Sequence, residues 1–101
     1  WYPGDAYVDL LGADSYTPGP NHALFEECVS VAPEGMPIVY HECGAIPTEE
    51  ELVSTKTNWL FFMTWHTDWL TGAESGNTAE SLKAIYNSKY FITLDELPAF
   101  Q

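Results

Sequence analysis

The sequence has very little positive charge. Lys and Arg together number 3, against 15 Asp and Glu residues, so the formal net charge is -12 at pH 7. Phosphate backbones and anionic membranes repel such a chain, and we expect no nucleic-acid partner. The sequence also lacks a run of about twenty apolar residues, so we expect no membrane segment in it. The scarcity of Lys and Arg leaves no basic signal region either.

Cysteines and metal-binding motifs are equally scarce. Cys28 and Cys43 are too few for a disulfide framework and lack metal-ligand spacing, and whether they pair stays open. No glycine-rich phosphate loop is present. His41, Glu42, Cys43 and His66 could be imagined as a metal site, but adjacent strand residues point to opposite sides. We therefore expect no metal and no cofactor.

Apolar residues are abundant. The 101 residues are 46% hydrophobic and 15% aromatic, which is too apolar for a disordered chain. The sequence contains no repeat, low-complexity stretch or linker. We therefore expect residues 1–101 to form a single domain.

One stretch combines a strand pattern with a chemical group at its end. It reads Pro-Ile-Val-Tyr-His-Glu-Cys-Gly over Pro37–Gly44, a β-branched apolar run bounded by proline and glycine. Glutamate is a poor strand former, so Glu42 near the carboxyl end suggests a functional site, although a solvated glutamate is the alternative. His41 alternates away from Glu42, and we expect it to face covering helices as a core histidine.

The remaining segments alternate strand and helix patterns. Apolar strand segments are expected at Tyr7–Ala13, Pro37–Gly44 and Trp59–Trp65. Helices are expected after the capping residues Asn21, Thr48 and Thr78, with Glu51 completing a capping box at the second.

This order predicts an α/β fold with a parallel sheet, whose active site lies at the carboxyl ends of the strands. Asp14 and Tyr16 follow the first strand and should point where Glu42 points. A complete (β/α)₈ barrel needs about 250 residues, so the chain holds well under half of one. An independent doubly wound domain is the alternative, although its first strand would be an exposed edge.

Several spaced motifs resemble the carboxyl-terminal part of glycoside hydrolase family 26, the β-mannanase-containing family of retaining glycosidases. They are Trp1–Asp9 with Gly12–Tyr16, Pro37–Gly44, Met63–Trp69, and Ala84–Asn87 with Tyr90–Pro98. The resemblance implies that the three strands are the sixth to eighth of a TIM barrel. Residues 1–101 would then be a partial catalytic domain whose partner is the missing amino-terminal part of the same barrel.

The resemblance also implies roles for individual residues. Glu42 falls where the family carries its catalytic nucleophile, and Tyr16 where an aromatic hydroxyl orients that nucleophile. Trp65 falls where an indole forms the floor of the sugar subsite. The structural alternatives are a loop tyrosine packed on its own strand and a core tryptophan.

Three further residues are predicted to bind substrate. His66 and Asp68 follow the third strand and could contact sugar hydroxyls, although an exposed polar loop is the alternative reading. Asp14 is expected to bind substrate from the same edge.

The implied substrate is β-mannan or a related plant polysaccharide. The Trp-His-Thr-Asp-Trp loop at residues 65–69 looks more mannanase-like than xylanase-like or mixed-linkage-glucanase-like. The resemblance further implies a secreted, periplasmic or cell-surface location for the full-length protein. A different class of function is a non-catalytic glycan-binding fragment that uses Trp1, Trp65 and Trp69.

One part of the family's pattern is missing from these residues. Its general acid/base is a glutamate on the fourth strand, which would precede Trp1. The remaining glutamates, including Glu26, Glu27, Glu34 and Glu49–Glu51, fall in predicted helices or loops. We therefore expect the isolated chain to be inactive. We also expect it to be aggregated, molten or self-associated, because Tyr40, Phe61, Met63 and Trp65 would form an uncovered inward face.

Overall fold

The computed structural model describes residues 2–99 of the chain. The strands are β1 (Leu11–Ser15), β2 (Ile38–Cys43) and β3 (Phe62–Thr64). The helices are α1 (His22–Val31), α2 (Glu49–Thr55), α3 (Asp68–Thr71) and α4 (Ala79–Tyr86). Short 3₁₀ turns cover Asp5–Tyr7 and Leu94–Glu96.

The three strands form one parallel sheet in the order β1-β2-β3. This confirms the predicted α/β arrangement, in which a helix connects each strand to the next. Because all strands run in one direction, their carboxyl ends meet at a single edge, and we call this edge the carboxyl edge of the sheet. No helix within residues 2–99 has both the length and the apolar composition needed to cross a membrane.

The register between β1 and β2 shifts near the carboxyl edge. Ala13 is the partner of Tyr40, but the next residue, Asp14, is the partner of Glu42. One extra residue, His41, is therefore accommodated on β2, as in a β-bulge. Such a bulge interrupts strict alternation and changes the direction of the side chains that follow it.

The predicted helix starts are confirmed, but one predicted cap is wrong. Thr48 forms a capping box with Glu51 at the start of α2, and Thr78 caps α4 in the same way. Asn21 precedes α1 in a left-handed conformation, and its side chain makes no capping bond. It donates instead to the carbonyl oxygens of Thr17 and Gly19 and to the Tyr40 hydroxyl.

All three strands are shorter than predicted. The second lacks Pro37 and Gly44 at its ends, and the first ends at Ser15 and not at Ala13, so Asp14 lies within the strand and does not follow it. The first begins only at Leu11, whose N–H donates to the Pro37 carbonyl at 3.1 Å. The preceding residues close a 3₁₀ turn through the Tyr7 N–H and the Gly4 carbonyl. The third is limited to Phe62–Thr64, although the Leu60 N–H already donates to the Ile38 carbonyl at 2.8 Å. The Trp59 side chain packs against the core and donates to the Pro20 carbonyl.

Tyr40 lies in the core between the sheet and α1. Its side chain is 0% exposed and stacks on Trp59, with ring centroids 4.8 Å apart. Trp59 in turn meets Phe25 of α1 edge to face at 5.0 Å. The Tyr40 hydroxyl donates to the Ser15 carbonyl. The prediction that Tyr40 belongs to the uncovered inward face is therefore wrong, since it faces the helix layer.

His41 lies on the opposite face from Tyr40 and is exposed. It lies against Gly12, where an added Cβ would be 2.9 Å from the His41 Nδ1 atom. The prediction of a core histidine facing the helices is therefore wrong. The position of Tyr40 agrees with this, because neighbouring strand residues point to opposite faces and Tyr40 points toward the helices.

The face of the sheet away from the helices carries large apolar side chains. Phe61, Met63 and Trp65 are 45%, 50% and 42% exposed, as predicted for an uncovered inward face. Cys28 and Cys43 are both free and buried, so they do not pair.

Candidate active site

The carboxyl edge of the sheet brings Tyr16 and Glu42 together. Tyr16 directly follows β1, and Glu42 is the penultimate residue of β2. The Tyr16 hydroxyl donates a hydrogen bond of 2.6 Å to Glu42 Oε1. A length of about 2.5–2.7 Å is typical of a hydroxyl bound to an ionised carboxylate. The other carboxylate oxygen, Oε2, has no hydrogen-bond partner within residues 2–99.

Two further residues contact the Tyr16 ring. A Cβ added to Gly44 would lie 3.1 Å from Tyr16 Cδ1, so the ring lies close against the backbone just beyond Glu42. The Trp69 indole meets the ring edge to face, with centroids 5.1 Å apart and an interplanar angle of 70°. Residues after all three strands therefore meet around one tyrosine.

The pKa of Tyr16 is raised from 10.0 to about 12. The largest cause is its hydrogen bond to Glu42, followed by loss of hydration and by the negative charge of Glu42. The charge of Asp14 acts in the same direction. Each of these disfavours the negatively charged phenolate, so Tyr16 keeps its proton and remains a donor.

Asp14 lies beside Glu42, its partner in the register of β1 and β2. Its side chain is exposed. The structure thus gathers Asp14, Tyr16 and Glu42 at the carboxyl edge, where the sequence predicted them.

The loop after β3 reaches the same edge. Trp65 is 42% exposed, and its ring centroid lies 5.5 Å from that of His66. His66 Nδ1 is 2.8 Å from the Thr67 hydroxyl. Thr67 has an unusual backbone conformation with φ 33° and ψ -97°, and the exposed Asp68 begins α3. A strained residue of this kind is found where the surrounding structure fixes a loop in one shape.

Two contacts at this edge could not be predicted from the sequence. The packing of Trp69 on Tyr16 joins loops that are distant in sequence. The Asn77 side chain bonds to the loop after β2. The only sequence signal for Asn77 is the Ser-Gly-Asn run at residues 75–77, which indicates a turn. Trp1, the third tryptophan of the glycan-binding hypothesis, lies outside the described residues.

Neither a metal centre nor a reactive thiol is evident in the described part of the chain. Residues 2–99 contain no group of three or more His, Cys, Asp and Glu side chains that could hold a metal ion. Cys43 follows Glu42 directly, and burial together with the charge of Glu42 raises its pKa to about 11. The thiol therefore stays protonated and is a poor nucleophile at neutral pH.

The sequence matches the model of glycosyl hydrolase family 26 over residues 1–96. The chain belongs to glycosyl hydrolase family 26. This confirms the resemblance noted in the sequence. The matched residues include all three strands and the residues at the carboxyl edge.

Relatives and solved structures agree with the family assignment. A mannan endo-1,4-β-mannosidase of Thermothelomyces thermophilus is 36% identical over the whole chain, which covers 21% of that enzyme. A β-(1,4)-mannanase of Podospora anserina is 37% identical, with a TM-score of 0.84 over 95% of this chain and 22% of the other. A β-mannanase from a symbiotic protist of the termite Reticulitermes speratus is 31% identical, with a TM-score of 0.84 over 99% of this chain and 31% of the other.

The chain spans between about a fifth and a third of the length of these relatives. It is an α/β unit with a parallel sheet that matches part of the TIM barrels of family 26 mannanases. The carboxyl edge described above therefore matches one portion of a larger architecture in those proteins.

The raised pKa of Tyr16 predicts its alkaline titration. Ionisation of a tyrosine changes its ultraviolet absorbance. In the folded full-length protein, the part of this change that Tyr16→Phe removes should have its midpoint at a pH of about 12. A folded pKa above 10.0 means that stabilisation by the Tyr16 bond is complete below pH 10.0 and is lost as the pH rises through about 12.

The control for this titration is the same pair of proteins unfolded in urea. There the two should differ by one tyrosine that titrates near its ordinary value of 10.0. If the absorbance change that Tyr16→Phe removes from the folded protein had its midpoint near pH 10.0, the Tyr16–Glu42 bond would be contradicted.

Proposed function

We propose that this chain supplies the nucleophile side of the active site of a retaining endo-β-1,4-mannanase, with Glu42 as the nucleophile. The observation that carries the proposal is the 2.6 Å bond from Tyr16 to Glu42 at the carboxyl edge. Family membership over residues 1–96 supports the reaction class. Active sites of TIM barrels lie at the carboxyl edge, which agrees with this placement.

A retaining glycosidase uses two carboxyl groups about 5–5.5 Å apart. One carboxylate attacks the anomeric carbon while the other, as an acid, protonates the departing glycosidic oxygen. A covalent glycosyl-enzyme forms, and the second group then acts as a base on the water that hydrolyses it. Glu42 fits the first role because its Oε2 is free of hydrogen bonds within the described residues.

Tyr16 orients the nucleophile in this proposal. Its hydroxyl binds Oε1 and keeps its proton because of its high pKa, so it serves as a fixed donor. A fixed donor limits rotation of the carboxylate and directs Oε2 toward the substrate. Trp69 and Gly44 hold the Tyr16 ring in the orientation that this bond needs.

The exposed groups around this pair are proposed to bind sugar. The Trp65 indole offers an apolar surface suited to the C–H face of a pyranose ring. His66, Asp68 and Asp14 are exposed at the same edge and can bond to sugar hydroxyls.

The acid/base group is proposed to come from the rest of the barrel. In this proposal β1, β2 and β3 are the sixth to eighth strands, and residues 1–101 are one partial catalytic domain. Glu26 and Glu27 lie on the exposed surface of α1. At the start of α2, the Glu51 carboxylate accepts from Thr48 in the capping box and the Glu49 carboxylate accepts from the Ser88 hydroxyl. The complete protein is therefore the active unit.

The proposed substrate is β-1,4-mannan. The T. thermophilus relative is named for endo-hydrolysis of mannan, and the protist enzyme was crystallised with a gluco-manno-oligosaccharide. A β-xylan or a mixed-linkage β-glucan is the alternative substrate within this reaction class. A polysaccharide substrate also favours a secreted, periplasmic or cell-surface location for the full-length protein.

Replacement of Glu42 tests the proposed reaction in the full-length protein. Glu42→Ala should lower kcat on mannan by roughly 10⁴-fold or more, because the covalent step loses its nucleophile. Azide should restore turnover of an activated β-mannoside and give the inverted α-mannosyl azide. The product configuration is measured by NMR.

The matched control is Glu26→Ala, which removes an exposed carboxylate from α1 and should leave kcat unchanged. A rescued azide product of retained configuration would instead assign Glu42 as the acid/base. Mannan binding without hydrolysis in the wild type, unaltered in Glu42→Ala, would favour the glycan-binding function.

The isolated chain of 101 residues should not hydrolyse mannan. The outer edges of β1 and β3 are unpaired in the described sheet. Phe61, Met63 and the more exposed Ile92 and Leu94 present apolar surface to water. We expect self-association or a non-cooperative unfolding transition, measured by size-exclusion chromatography and urea titration. A cooperative monomer that cleaves mannan would indicate a second carboxylate within these residues, with Asp14 the nearest candidate.

A further inference from the structure

The loop between β2 and α2 carries the chain away from Glu42 with its backbone buried. Gly44 is buried and Ile46 is only 5% exposed. Buried backbone N–H and C=O groups need hydrogen-bond partners, since an unpaired one is costly. The loop lies beyond the last residue of β2, so the sheet does not supply these partners.

Asn77 supplies partners to this loop from the segment that precedes α4. Its Oδ1 atom accepts from the Ile46 N–H at 2.9 Å, and its Nδ2 atom donates to the Gly44 carbonyl at 3.3 Å. One amide side chain thus pairs with a donor and an acceptor two residues apart, as a neighbouring strand would.

Asn77 is itself held in place. Its N–H donates to the Ser75 hydroxyl at 3.1 Å, and Ser75 is only 5% exposed. The intervening Gly76 has φ +74°, and a Cβ there would lie 3.0 Å from the Ala45 Cβ. The segment of residues 75–77 is therefore packed closely on the loop after β2.

The loop that Asn77 holds is also the surface on which Tyr16 rests. A Cβ on Gly44 would lie 3.1 Å from Tyr16 Cδ1 and 3.5 Å from the Tyr16 carbonyl oxygen. Gly44 follows Glu42 by two residues. A displacement of Gly44 would therefore alter both ends of the Tyr16–Glu42 bond.

We propose that Asn77 is a positioning residue for the Tyr16–Glu42 pair, acting through the backbone of Gly44. This inference rests on the proposed function of that pair. No other side chain at residue 77 reproduces both bonds at this length. Aspartate keeps an acceptor for Ile46 but places an oxygen opposite the Gly44 carbonyl, and alanine removes both groups.

A double-mutant cycle in the full-length protein tests this role. Asn77→Ala should lower kcat on mannan by about tenfold to a hundredfold, the effect of a small misplacement of reacting groups, with KM within about twofold. In the Tyr16→Phe background the same change should have a much smaller effect, because both act on one bond. Asn87→Ala, which removes an exposed amide bound to the Lys83 carbonyl, is the matched control and should leave kcat unchanged.

Several outcomes would overturn the inference. One is an unchanged kcat in Asn77→Ala at a temperature where the variant is folded. Another is a double variant in which the fold-reductions in kcat of Asn77→Ala and Tyr16→Phe multiply, as they would for independent residues. If Asn77→Ala does not fold, Asn77→Asp takes its place, since it keeps the Ile46 bond. Failure of both to fold would show that Asn77 serves only stability.

Failure of the proposed function gives a different pattern. Then wild-type protein would not cleave mannan, or Tyr16→Phe would leave kcat unchanged. A crystal structure of Asn77→Ala tests the inference without an activity measurement. We expect Gly44 to be displaced and the 2.6 Å hydrogen bond from Tyr16 to Glu42 to be lost. An unmoved Gly44 with the bond intact would contradict the assignment.

Discussion

The hydrogen bond between Tyr16 and Glu42 is the interaction on which the proposed site depends. It joins residues 26 positions apart and places a protonated donor on one oxygen of a carboxylate. That geometry requires two adjacent parallel strands that end together. It also requires the Tyr16 ring to lie over Gly44, a position where any larger residue would crowd it.

The rest of the described fold holds the carboxyl ends of β1 and β2 together. Tyr40 anchors the helix-facing side by stacking on Trp59 and by bonding to the Ser15 carbonyl, one residue before Tyr16. The extra residue at His41 changes the alternation of β2 just before Glu42. The helix-facing core therefore fixes the backbone on both sides of the Tyr16–Glu42 bond.

Local patterns in the sequence predicted the order of elements, the parallel sheet and the gathering of Asp14, Tyr16 and Glu42. The order of elements follows from apolar runs and from caps such as Thr48 with Glu51. The gathering of the three side chains follows because parallel strands end at one edge of the sheet. The sheet faces on which the Tyr40 and His41 side chains lie could not be predicted. The alternation of side chains along a strand fails at a bulge, and Trp59, which packs on Tyr40, is distant in sequence. The contacts of Trp69 and Asn77 likewise depend on loops that meet only after folding.

If Glu42 is the nucleophile, it forms a covalent bond to the sugar. Mass spectrometry can detect this bond in the full-length protein after reaction with an activated fluorinated β-mannoside that slows hydrolysis of the glycosyl-enzyme. We expect a single sugar adduct on the peptide containing Glu42, and no adduct in Glu42→Ala. An adduct on another carboxylate, with Glu42 unmodified, would contradict this assignment.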